Sequence, residues 1–77
     1  MGKLPILSGH KVIKILKRIG FEQARQKGSH IVLVKETPGT KKALVVPNHN
    51  EIDPGTLLEI IRQAGLKRNE FEKLLKQ

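Results

Sequence analysis

Between Phe21 and Pro47 the chain reads as three strand-length runs separated by two short turn signals. The first signal is "QKGS" and the second is "ETPGT". Consecutive strands joined by connections this short can only pair side by side and antiparallel, because a parallel neighbour needs a crossover of a dozen residues or more. The expected strands are Phe21 to Gln26, His30 to Lys35 and Lys42 to Val46, the last ended by Pro47. Pro38-Gly39 supplies the second turn.

Helical patterns flank this meander. Ser8 is a good N-cap and Gly20 a good stop, which predicts a first helix from about Gly9 to Ile19. Val12, Ile15, Leu16 and Ile19 share one stripe at 100° per residue, and Lys11, Lys14, Lys17 and Arg18 take the opposite arc. Asp53 as N-cap with Pro54 at the first position starts a second helix, which Gly65 stops. Leu57, Ile60, Ile61 and Ala64 form its apolar side. A short last helix, Arg68 to Lys76, offers Phe71, Leu74 and Leu75 and has no strong cap. The order helix, three strands, helix, short helix predicts an α+β domain. Both main helices should cover one face of the antiparallel sheet and leave the other open.

Length permits one domain over residues 1–77, and a chain this short buries only about 60% of its unfolded surface. There is no cysteine, so neither a disulfide nor a thiolate metal site supports it. Nothing calls for an oxidising compartment, and cytosol is the expectation. The opening "MGKLPILSGHK" lacks the apolar run of a secretory leader, and no segment reaches the roughly 20 apolar residues of a membrane span.

The formal charge is +8, and it is unevenly spread. Residues 1–50 hold ten Lys and Arg against two acids, Glu22 and Glu36, whereas residues 51–77 hold five of each sign. A phosphate-rich partner fits that asymmetry. Aromatics decide the mode of contact: there are two Phe and no Tyr or Trp, and both Phe21 and Phe71 look like core residues. Stacking bases on a sheet is therefore not the expected mode, and contact through backbone charge or shape is.

The motifs of common enzymes are absent. There is no phosphate loop, no dinucleotide glycine pattern and no nucleophile elbow. His10, His30 and His49 are spread along the chain with no i, i+4 pair, so no metal and no cofactor are expected. His30 is the informative histidine, because it stands where the turn "KGS" meets the apolar run "IVLV". Imidazole exchanges protons near neutral pH, and Lys27 and Arg25 beside it would hold a phosphodiester. A base next to a bound phosphodiester is the minimum for metal-free RNA cleavage through the 2′-hydroxyl. The plainer reading is a histidine that closes the turn by hydrogen bonds, and the residues alone leave the two open. Ser29 either steadies the imidazole or caps the turn, Gly28 supplies backbone shape, and His49 in the following loop either helps to bind RNA or is simply solvated. His10 reads as a surface residue.

Several stretches are familiar together. "HKVIKILKRIGF", "KGSH" at a strand start, "VPNHNEIDPGTLLEIIRQAGL" and "EFEKLL" resemble the HicA toxins of bacterial and archaeal toxin–antitoxin pairs. "GSH" alone is weak, but with P-x-H, P-G-T-L and R-Q-A-G-L at these spacings it is specific. The resemblance implies a fold like the double-stranded-RNA-binding domain and an mRNA endonuclease that works without metal and halts translation. It implies that His30 is the catalytic residue and that a HicB-type antitoxin masks the site. Two other functions compete. A non-catalytic RNA-binding module would use the same basic residues, Arg25, Lys27, Lys11, Lys14 and Arg18, and yield no products. A small ribonucleoprotein component would usually carry a disordered basic tail, and this chain has none.

Overall fold

A computed structural model describes residues 4–76. Its elements follow the order α1 (Gly9–Lys17), β1 (Glu22–Lys27), β2 (His30–Thr37), β3 (Thr40–Pro47), α2 (Pro54–Gln63) and α3 (Arg68–Leu75). The three strands form one antiparallel sheet in the order β1-β2-β3, flanked by helices, as the turn signals require.

Sheet register explains the core. Ile31 and Leu33 of β2 and Leu44 and Val46 of β3 point to one face and are buried. Val12, Ile13, Ile15 and Leu16 of α1 and Leu57, Ile60 and Ile61 of α2 close over that face. Phe21 and Phe71 are both buried, so neither is available for stacking on a base. The apolar stripe of α1 is wider than the four-residue pattern, since Ile13 is buried while Ile19 is only half-buried. Leu74 and Leu75 are half-buried against the core and Phe71 carries the contact of α3.

Several boundaries differ from the sequence reading for local reasons. Helix α1 ends at Lys17, and residues 18–20 form a turn into Phe21. Strand β1 starts one residue later than expected, because Phe21 turns into the core ahead of it. The "ETPGT" segment is mostly strand: Glu36 pairs with Lys41 and Thr37 with Thr40, leaving Pro38-Gly39 as a two-residue turn. Helix α3 lacks a capping side chain at Lys67, yet the Glu70 carboxylate accepts from the Lys67 N–H at 2.7 Å and closes the first turn.

The other sheet face is open. Val32 and Val34 are half-covered, and Ala43 and Val45 are exposed, Val45 to 43%. Helix α2 runs back along β3, with Gly65 just past its end lying against the Lys42 side chain near the start of that strand.

Candidate active site

Strand alternation puts His30 on the open face, because its neighbour Ile31 is in the core. His30 is exposed, opposite Lys27 on β1 and Pro47 on β3. Residues directly across an antiparallel pair project to the same side, so the Lys27 ammonium and the imidazole share one surface. Two residues along β2, Val32 is paired with Arg25 in the same way. That alignment follows from the two-residue turn, because the pairing runs unbroken from Lys27 and His30 to Arg25 and Val32 and the irregularity comes only beyond it, between Gln23 and Arg25.

The turn before His30 is tight. Gly28 has φ +59° and Ser29 keeps a negative φ, the pattern of a II′ hairpin turn, whose twist matches that of the strands it joins. The Gln26 side chain donates to the Gly28 carbonyl at 3.0 Å, and the Asn48 backbone N–H donates to the Ser29 carbonyl at 2.6 Å. The hairpin end is thus held from β1 and from the exit of β3. The next loop is fixed in turn: Gly9 N–H donates to the His49 carbonyl at 2.9 Å, and Leu7 bridges to Ile52.

Arg25, Lys27, Gly28, Ser29 and His30 line one groove of about 940 Å³, together with Gln26, Val32 and Val45. Among the described residues no carboxylate lines it. Val32 and Val45 are its apolar floor and were not singled out from the sequence. The signal was the strand period, which places the residue two beyond His30 on the same face.

The remaining expected residues are elsewhere. His49 lies in the loop after β3, exposed, two residues beyond the partner of His30. Lys11 is half-buried in the first turn of α1, where its N–H is capped by Ser8 Oγ at 3.1 Å. Lys14 is exposed one turn on, and the Arg18 guanidinium donates to the Leu74 carbonyl at 3.0 Å, tying α1 to α3. Because α1 covers the buried face, Lys14 and Arg18 are on the outer surface of the helix layer, away from the His30 groove. His10 is exposed on α1. Among the described residues no three His, Asp or Glu side chains gather as metal ligands, and no helix is long and apolar enough to cross a membrane.

A family model described as the HicA toxin of bacterial toxin–antitoxin systems matches residues 9–66, from the start of α1 to just past α2. The chain belongs to the HicA toxin family. The match includes the whole sheet and the His30 turn, so the groove lies within the part that defines a HicA toxin. A HicA chain is one half of a toxin–antitoxin pair and has an antitoxin partner. No curated protein matches this HicA chain closely enough to name a relative.

Proposed function

We propose that this HicA chain is an endoribonuclease that cuts mRNA at His30, without a metal or cofactor, and so inhibits translation in the cytoplasm. One observation carries the reading: an exposed imidazole stands across a strand pair from Lys27, in a groove that also holds Arg25 and, among the described residues, no acid. Neutral imidazole takes the proton of a ribose 2′-hydroxyl. The freed 2′ oxygen attacks phosphorus, and the bond from phosphorus to the 5′ oxygen breaks. The products are a 2′,3′-cyclic phosphate and a 5′-hydroxyl, whose oxygen takes its proton from solvent. Lys27 and Arg25 hold the phosphate and offset the charge that builds on its oxygens. Gly28 leaves the turn bare for backbone approach, Ser29 steadies the turn, and His49, Lys11, Lys14 and Arg18 extend the attraction to RNA beyond the groove.

The partner on this reading is a HicB-type antitoxin with an acidic surface. Complementary charge speeds capture, and a partner seated over His30 excludes RNA.

The test is digestion of single-stranded mRNA in EDTA by the wild-type chain and by His30→Ala, with circular dichroism to check the fold. The wild type should cut, and His30→Ala should be slower by about 10²–10⁴-fold with its spectrum unchanged. Equal cutting by both removes His30 from the chemistry. Salt-sensitive binding with no products from the wild type makes the chain an RNA-binding module instead.

A further inference from the structure

The open sheet face continues past the His30 groove. A second groove, of about 710 Å³, begins where the first stops, and Val32 and Val45 line both. Its floor is Val32, Ala43 and Val45, and its far wall is α2 with Asp53, Thr56, Glu59 and Gln63. The two grooves differ in sign. Among the described residues, Arg25 and Lys27 line the first with no acid, and Asp53 and Glu59 line the second with no Lys or Arg.

The hydrogen-bonding capacity of that wall is weighted towards acceptors. Asp53 accepts from the Thr56 N–H at 3.0 Å and from the Thr56 hydroxyl at 2.6 Å. A carboxylate has roughly four acceptor sites, so about two remain. Thr56 gives its single hydroxyl proton to Asp53, so its oxygen can only accept. Glu59 accepts from Arg62 and Gln63 and has no proton to give. Gln63, on the same wall, gives one amide proton to Glu59 and keeps the other. The wall therefore offers mainly acceptors to an incoming group, with that single amide N–H as a donor.

A phosphate is repelled by such a wall, so an RNA backbone stays on the Lys27 side. A nucleobase suits it: the flat face lies on the valines and an amino group meets the acceptors. Val32 is two residues beyond His30 on the same face, about 7 Å along the strand. A nucleotide held by its phosphate at His30 sets its base over that position. We propose that the second groove seats the base next to the cleaved linkage and favours adenine, cytosine and guanine over uracil. The first three carry an exocyclic amino donor, whereas the N3–H of uracil stands between two carbonyl oxygens, which it brings up against the carboxylates. This inference rests on reading the His30 groove as an RNA site.

Binding tests it without turnover. Short single-stranded RNAs that differ at one position are titrated against full-length His30→Ala, and against the same protein with Asp53→Asn or Glu59→Gln added. Asn caps a helix as well as Asp, so α2 is retained. At one position the amino-bearing bases should bind about tenfold more tightly than uracil, the worth of one charge-assisted hydrogen bond. Asp53→Asn or Glu59→Gln should shrink that ratio to about twofold or less. Equal affinity for all four bases at every position overturns the inference, as does a ratio untouched by both substitutions. So does weakened antitoxin binding with unchanged RNA preference, which gives the groove to the protein partner. A base preference in a wild-type chain that never cuts RNA sinks the nuclease reading and leaves the base seat standing; cutting with no preference does the reverse.

Discussion

Asn48 is bonded to Ser29: its backbone N–H reaches the Ser29 carbonyl at 2.6 Å. The exit of β3 is thereby joined to the turn that carries His30, beyond the last strand pair of His30 with Pro47. Gly9 bonds the next residue, His49, so the start of α1 is part of the same clasp. Three segments distant in sequence thus fix one end of the sheet, and the imidazole stands at that end.

Gly9→Ala should loosen this clasp. A Cβ there would overlap the Pro47 carbonyl oxygen and come within 3.0 Å of Asn48 Cα, both of them backbone. Overpacking of this kind costs about 1–3 kcal/mol. Because the displaced strand end is the one bonded to Ser29, RNA cleavage should fall as well. Ser8→Ala is the comparison: it loses the N-cap, worth about 1 kcal/mol, without pressing on Pro47. Urea midpoints and cleavage rates of the two variants check this, and a Gly9→Ala protein as active as Ser8→Ala would contradict it.

Lys27→Ala and Arg25→Ala should weaken RNA binding across all sequences. Each lost phosphate contact lowers the slope of log affinity against log salt by about 0.7 for a single strand. Both side chains are exposed, so stability should move by less than about 0.5 kcal/mol. Lys14→Ala lies on the opposite layer and should change the slope less. Affinity titrations at several salt concentrations measure all three.

Phe71→Ala should unfold the protein or nearly so. The ring is fully buried and is the main contact of α3 with the core. Removing a buried Phe costs about 3–5 kcal/mol, against a total of about 5–15 for most proteins and the low end for a chain this short. A cooperative thermal transition within a few degrees of wild type would show that α3 contributes little.

Acid should destabilise the fold partly through α2. The Thr56 hydroxyl, and then its N–H, hold the Asp53 carboxyl below its ordinary value of 3.8. Arg62 does the same for Glu59. A carboxylate lowered in the folded state contributes stability above its unfolded value and loses it as pH falls through the folded one. Urea midpoints should therefore drop on acidification below about pH 4, and Asp53→Ala should flatten that drop. A drop of equal size in the variant would assign the acid response to other groups.

Much of the fold was written locally. Pro54 after Asp53, the stripe of α1 and the two turn signals each act within a few residues, and each fixed an element. The length of the β2–β3 hairpin was not legible, because Thr37 and Thr40 have no apolar pattern and pair only since Pro38-Gly39 makes so short a turn. Strand β1, "EQARQK", is exposed throughout, so no apolar pattern gave warning of its irregularity between Gln23 and Arg25. Leu4 and Ile52 are buried although they lie outside helices and strands, which depends on how distant loops close. At the site, His30, Lys27 and Arg25 could be named from neighbours in sequence. The valine floor and the α2 wall come together only through cross-strand register and the return of α2 along β3.

Two glycines near His30 are needed for opposite reasons. Gly9 has an ordinary backbone and no room, whereas Gly28 has a positive φ and nothing within 4 Å of where a side chain would start. The requirement at position 28 is thus one of handedness and not of space. A chain of 77 residues is within reach of chemical synthesis. A D-alanine at 28 would suit the turn that an L-alanine strains, while both add the same methyl group at the mouth of the groove. The mirror pair separates the shape of the hairpin from the access it leaves.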